Sequence, residues 1–164
     1  MTPAEIGIAG AAGGVIGLLS MGVAPWVWDR FRPVWALLPT FMLPALAGLG
    51  MLLITPGQDM ANVLLLGLSL GFWASCVMVN ITGTETLKQL LIPQEAIGRF
   101  SSASRVLTGG IDPIGAALAG ALALFLPTGG VLAVASLGVV TSGCWIVAST
   151  AVRGLPLLSA VEMA

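Results

Sequence analysis

Residues 62–81 read NVLLLGLSLGFWASCVMVNI, a run of twenty residues without a charged side chain. A helix needs about 20 residues to cross roughly 30 Å of hydrocarbon, so this run has the length and composition of a membrane span. Its apolar residues are continuous, whereas the strands of a membrane barrel alternate with a period of two. The run therefore predicts a transmembrane α-helix.

The composition extends this prediction to the whole chain. Of its 164 residues, 57% are hydrophobic and 8% are charged, whereas a soluble domain carries roughly 25% charged residues. Four more apolar runs flank the first one, separated by short polar segments. We predict a single all-α domain over residues 1–164, a polytopic transmembrane helix bundle with spans at about 6–24, 34–54, 62–81, 103–126 and 131–152.

The basic residues predict the orientation of this bundle. With five spans, all six fall on one side of the membrane, and the positive-inside rule assigns that side to the cytoplasm; they are Arg30, Arg32, Lys88, Arg99, Arg105 and Arg153. One span more or fewer would split the set. We expect an integral protein of a bacterial inner (plasma) membrane, with the N-terminus outside and the C-terminus cytoplasmic.

Several function classes are disfavoured by composition. The net charge is −1 and no basic cluster exists, so a nucleic-acid partner is not expected. The chain has no histidine, and its two cysteines, Cys76 and Cys144, lie inside apolar runs without metal-ligand spacing, so we predict no metal and no cofactor. Residues 67–71, GLSLG, match the GxSxG pattern of serine hydrolases but lack a histidine base. We predict no enzyme activity.

Local signals mark the ends and faces of the first spans. Thr2-Pro3-Ala4-Glu5 predicts a capping box that starts the first helix. Small residues three and four apart let helix backbones approach closely, so we predict a packing stripe on the first span at Gly7, Gly10, Gly14 and Gly17. Trp26, Trp28 and Trp35 bracket the first loop, as interfacial aromatics do.

The third span has a polar face, because five polar or aromatic residues recur at steps of four, three, four and four; they are Ser69, Trp73, Cys76, Asn80 and Thr84. This face either lines a cavity or forms hydrogen bonds with neighbouring helices. The sequence leaves both interpretations open. Beyond this span we expect the helix to continue through the i,i+3 pair Glu85 and Lys88 until Pro93 ends it.

The fourth span carries Arg105, Thr108 and Asp112 on one face, with Pro113 next in the chain. A charged side chain at the bilayer centre costs about 2.5–3.5 kcal/mol, so it faces protein or water and often marks a pathway. Asp112 either belongs to such a pathway or pairs structurally with Arg105 or a neighbouring helix. Trp73 and Asp112 lie about 16 and 13 Å into their predicted spans, near the midplane where transporter sites lie.

Residues 89–120 contain a series of motifs, namely Gln89-Leu90-Leu91-Ile92-Pro93, Gly98-Arg99, Arg105, Pro113-Ile114-Gly115 and Gly120. These motifs resemble the tenth-to-eleventh helix region of major facilitator superfamily exporters of the drug and macrolide or siderophore efflux type. The first loop, Asp29-Arg30-Phe31-Arg32, resembles the basic loop between that family's eighth and ninth helices. The chain is then similar to helices eight to twelve, an incomplete C-terminal half, whereas the family has twelve helices in two halves.

This resemblance implies part of a secondary active transporter that exports small amphipathic molecules by alternating access and is inactive alone. Its partners would be the lipid bilayer, a small-molecule substrate, and the missing N-terminal half or another membrane subunit. Substrate or proton contacts would come from Trp73, Asn80, Thr108 and Asp112; Arg30, Arg99 and Arg105 would serve the cytoplasmic gate or the structure. The alternative is a small structural or assembly membrane protein that docks partner helices through its glycine stripe.

Overall fold

A computed structural model describes residues 2–54, 57 and 59–155, with the backbone alone at residues 59 and 151. Eight helices occur within these residues: α1 (Pro3–Ser20), α2 (Ala24–Arg30), α3 (Pro33–Met42), α4 (Pro44–Met51), α5 (Asp59–Leu91), α6 (Gln94–Ala123), α7 (Thr128–Ala148) and α8 (Thr150–Gly154). Five helical segments there are long and apolar enough to cross a membrane: Pro3–Ser20, Pro33–Met51, Met60–Leu91, Gln94–Ala123 and Thr128–Ala148. The predicted all-α fold, with five helices long and apolar enough to span a membrane, is confirmed for the described residues.

Two local predictions about helix ends are also confirmed. The Thr2 hydroxyl accepts a hydrogen bond from the Glu5 backbone N–H at 3.3 Å, and the Glu5 carboxylate accepts one from the Thr2 backbone N–H at 2.6 Å. This capping box starts α1. At the C-terminal end of α5, Lys88 Nζ lies 2.8 Å from Glu85 Oε1, and the helix ends at Leu91. Its 33 residues extend over roughly 50 Å, more than the hydrocarbon thickness.

Other boundaries differ from the prediction. The polar segment before the fourth span is helical, since α6 begins at Gln94 rather than near residue 103; Gln94, Glu95 and Ala96 are residues with good helix propensity. The second span is broken between α3 and α4, because Pro44 has no N–H to continue the helix and its ring crowds the preceding turn. Part of the predicted first loop forms the short helix α2.

The core of the bundle lies where α2, α3 and α5 meet, with Trp28, Ala36, Leu37 and Leu87 buried together. Trp26 and Trp35 are 61% and 63% exposed, which agrees with an interfacial position, but Trp28 is 2% exposed. Trp28 is therefore buried inside the bundle, unlike the other two tryptophans. Its ring lies against Gly83 of α5, where a side chain would overlap the indole.

Helix α1 packs along α5 through small residues. A Cβ at Gly13 would lie 2.8 Å from Leu70 Cβ, and a Cβ at Gly17 would lie 2.8 Å from Ala74 Cβ. Ala9 is 1% exposed on the same face of α1. Ala9, Gly13 and Gly17 recur every four residues, so the close contact follows one helix face.

The predicted glycine stripe therefore needs a correction. Of its four members, Gly17 contacts α5, whereas a Cβ at Gly7, Gly10 or Gly14 would meet no atom within 4 Å. Within the described chain, the close contact thus involves Gly17 and not the other three positions. Glycines occupy more than one face of α1, and their spacing alone does not select the face that meets α5. Packing of this outer face against a partner stays a prediction.

The first loop and the end of the last helix lie at the same end of the bundle. Arg32 Nη2 donates hydrogen bonds to the carbonyl oxygens of Arg153 at 3.1 Å and Leu155 at 3.5 Å. Four candidate spans separate these segments, and an even number of crossings returns a chain to the side it left. The contact therefore agrees with the count of five spans. Which end faces the cytoplasm stays a prediction.

Candidate functional site

The polar face of α5 is turned toward α3 and α4. Asn80 Nδ2 donates a hydrogen bond of 2.9 Å to Thr40 Oγ1 on α3, and Thr40 Oγ1 donates one of 2.7 Å to the Leu37 carbonyl oxygen. The Thr84 hydroxyl donates to the Asn80 carbonyl oxygen at 2.8 Å. Of the two interpretations of this face, helix-to-helix hydrogen bonding is the one that Asn80 displays.

Helix α4 accommodates hydroxyls from both of its neighbours because it carries two glycines. Ser69 of α5 and Ser136 of α7 are each 7% exposed. A Cβ at Gly50 would lie 2.9 Å from Ser69 Oγ, and one at Gly48 would collide with Ser136 Oγ. Glycine at these two positions thus lets α5 and α7 approach the α4 backbone.

Trp73 lines a cavity of about 290 Å³ between α4, α5 and α7. A second cavity, of about 400 Å³, adjoins it, since Met51 and Leu132 line both, and extends to Thr128 at the start of α7. Small-molecule sites are mostly apolar and measure roughly 300–1,000 Å³. An indole face also attracts aromatic rings and cations. This space can therefore hold the apolar part of an amphipathic molecule, beside Trp73, which is 49% exposed.

The candidate residues of α6 lie elsewhere. Arg105, Thr108 and Asp112 are all exposed, and no residue of α6 lines the Trp73 cavity. The Thr108 hydroxyl donates to the Ser104 carbonyl oxygen of its own helix at 2.9 Å. Within the part of the chain that the structure describes, Asp112 and Arg105 form no ion pair. Their structural pairing, one of the two alternatives for Asp112, is therefore absent from the described contacts.

The predicted site residues thus fall into two groups that the chain does not bring together. Trp73 and Asn80 lie within the bundle, whereas Thr108 and Asp112 lie on a helix of which no residue is buried. Asp112 stands eleven residues before the end of α6 at Ala123, about 16 Å along the axis. Asp112 therefore lies well inside a candidate membrane span, on a surface that the other described helices leave uncovered.

The basic residues also divide by role. The side chains of Arg30 and Arg99 are exposed and make no hydrogen bond with any described residue. The contact between the first loop and the end of the last helix is made instead by Arg32, for which the sequence predicts no role in a gate or site. The sequence also does not predict Thr40 as the hydrogen-bond partner of Asn80, since nothing in the segment around Thr40 shows that Asn80 lies opposite. Among the described residues, no group of three potential metal ligands is found.

Comparison with known proteins gives no match for this chain, whether with family models, curated proteins or solved structures.

Proposed function

We propose that the chain is part of a secondary active transporter that exports small amphipathic molecules. The other part of this transporter is a second membrane element that covers α6. One observation carries the proposal: Asp112 is exposed, unpaired among the described residues, and deep within an apolar helix that has no buried residue. The resemblance of residues 89–120 to major facilitator superfamily exporters supports it.

Lipid is an unfavourable cover for this surface. Intramembrane carboxylates almost always face the interior of a bundle or a water-filled cavity, because hydrocarbon cannot solvate the charge. The helices described here do not enclose Asp112, so the cover is a partner. In transporters with two halves, substrate and ion sites lie near the midplane between those halves. The partner is then the N-terminal half of such a transporter or a separate membrane subunit.

The chemistry of the exposed groups suits export of amphipathic compounds. Trp73 and the apolar walls of its cavity accept a hydrophobic body. Asp112, on the uncovered surface of α6, accepts a proton or a cationic group, and a carboxylate that gains and loses a proton can couple export to a proton gradient. Pro113 follows directly, and its missing N–H weakens the local helix, which lets α6 flex around this position.

The test is export of a fluorescent amphipathic cation from cells that contain the chain in its native assembly. Asp112→Asn should abolish export driven by the proton gradient while the amount of protein in the membrane stays constant. Asp29→Asn is the matched control, since Asp29 lies near the end of α2 and is exposed. Unchanged pH dependence in Asp112→Asn contradicts a coupling role, and equal export with and without the chain contradicts transport altogether.

The second candidate is an assembly protein that docks a partner helix. The outward face of α1 favours it, because Gly7, Gly10 and Gly14 have no neighbouring atom where a side chain would stand. Under this candidate, Gly14→Leu removes the partner during affinity purification, whereas Asp112→Asn retains it and changes no transport. The two variants therefore separate the two functions.

A further inference from the structure

A groove of about 440 Å³ lies where the ends of α1 and α2 meet α3 and α5. Trp35 and Pro39 of α3 and Leu43, directly after that helix, line it at steps of four residues. The groove therefore follows one face of this segment for about 12 Å. Val23 and Phe31 also line it and are 52% and 44% exposed. The groove is therefore open on one side, and it runs from the first loop into the apolar layer.

The walls of the groove offer almost nothing to a polar ligand. Its three hydroxyls each donate to a backbone carbonyl oxygen of their own helix: Ser20 to Gly17, Thr40 to Leu37 and Ser75 to Gly71. Thr40 also accepts the hydrogen bond from Asn80. With these protons engaged, the surface that remains is hydrocarbon and aromatic, which matches an alkyl chain.

A basic residue, Arg30, stands next to residues that line the groove, although it is not itself part of the lining. Arg30 stands one helical turn after Val27 and directly before Phe31, and both of these neighbours line the groove. The Arg30 side chain is exposed and forms no hydrogen bond or ion pair with any described residue. Phe31 packs edge-on against Trp26 with ring centroids 6.2 Å apart, and such aromatic groups occupy the headgroup level of a bilayer.

We propose that this groove binds one acyl chain of an anionic phospholipid whose phosphate pairs with Arg30. Basic pockets between transmembrane helices bind anionic headgroups, and a guanidinium matches the geometry of a phosphate. Charge complementarity favours the anionic lipid, because Asp29, Arg30 and Arg32 together give this segment a net charge of +1. The inference does not depend on transport.

The experiment uses the full chain in vesicles of phosphatidylcholine that contain brominated phosphatidylglycerol or brominated phosphatidylcholine. Bromine quenches a tryptophan that it contacts, and Trp35 lines the groove. The difference between the native chain and Trp35→Phe isolates the Trp35 signal. We expect Trp35 to be quenched more at low fractions of the anionic lipid than at the same fractions of the zwitterionic lipid.

Two substitutions locate the site. Arg30→Gln should lower the preference for the anionic lipid about fivefold, which corresponds to about 1 kcal/mol for one basic residue at the surface; Arg99→Gln is its control and should keep the preference. Val23→Phe should fill the mouth and reduce quenching of Trp35 by both lipids, whereas Val15→Phe, at a position 57% exposed on α1, should not.

Each outcome bears on the proposal. Equal quenching by the two lipids in the native chain, or an unchanged preference in Arg30→Gln, overturns it. Val23→Phe with native quenching shows that the acyl chain does not occupy this groove, which also overturns it. Both tested side chains are exposed, so helix content by circular dichroism should match that of the native chain, and the comparison stays valid.

Discussion

Trp28 Nε1 donates a hydrogen bond of 2.8 Å to the carbonyl oxygen of Val79, which joins α2 to the middle of α5. The indole is 2% exposed and lies over Gly83, the next helical turn of α5. The absence of a side chain at Gly83 therefore provides the slot that the ring fills. This contact holds the first loop against the bundle and explains why a tryptophan beside a loop is buried.

We expect Gly83→Ala to destabilise the protein, because the new methyl group would overlap the Trp28 ring. Overpacking of this kind costs about 1–3 kcal/mol. Gly110→Ala is the control: nothing lies within 4 Å of its Cβ position on α6, and alanine in a helix is about 0.5–1 kcal/mol more favourable than glycine. Unfolding in detergent measures both. Equal stability of the two variants would contradict the Trp28 slot.

The two faces of α1 predict opposite results for adjacent glycines. Gly13→Leu should lower the unfolding free energy by about 1–3 kcal/mol or more, since its Cβ would lie 2.8 Å from Leu70 Cβ. Gly14→Leu should not destabilise the isolated chain, since nothing lies within 4 Å of its Cβ position and leucine favours a helix more than glycine does. Thermal unfolding in detergent compares them. A larger loss in Gly14→Leu would mean that the outer face, not the Gly13 face, packs on α5.

The bond between Asn80 and Thr40 should appear as a coupling energy. A double-mutant cycle with Asn80→Ala and Thr40→Val should give about 0.6 kcal/mol and at most about 1.7 kcal/mol, the range measured for such bonds in membranes. A coupling of zero would show that the bond contributes nothing. If Asn80 also contacts a substrate, Asn80→Ala should reduce transport more than Thr40→Val, which leaves the amide in place.

The orientation can be tested with single cysteines in a chain whose Cys76 and Cys144 are replaced by alanine. Gln94 is the first residue of α6 and Thr128 the first of α7, so the two exposed positions flank the α6 span at opposite ends. An impermeant thiol reagent added to intact cells should label Thr128→Cys and leave Gln94→Cys unlabelled until the cells are opened. The reverse pattern would invert the topology predicted from the basic residues. Gln58, in the same outer region by that prediction, lies outside the described residues.

The sequence predicts those features that depend on local chemistry. Uncharged runs locate the five spans because hydrocarbon excludes charge, and Thr2 with Glu5 starts α1 because both groups of the capping box lie within one turn. The features that it does not predict depend on which face meets a neighbour. Periodicity identifies faces, but glycines occur on several faces of α1, and only the contact with α5 distinguishes Gly13 from Gly14.

The candidate site shows the same division. The depth of Trp73 and Asp112 in their spans follows from counting residues, and the structure places both inside helices that are long and apolar enough to cross a membrane. Their separation does not follow from counting, because it depends on how few contacts α6 makes with the rest of the bundle. Likewise, Asn80 lies on a predicted polar face, but its partner Thr40 lies forty residues earlier, and no local pattern connects the two.

The central claim is that the Asp112 face of α6 lines a water-filled space formed with a partner. Ala116 lies one turn beyond Asp112 on the same face, and Ile114 lies on the opposite face. Single cysteines are placed at these positions in a chain whose Cys76 and Cys144 are replaced by alanine. Native membranes that contain each variant are then treated with a small water-soluble thiol reagent. We predict rapid modification of Ala116→Cys and little of Ile114→Cys. Equal rates at the two positions, or no modification at Ala116→Cys, would contradict the claim.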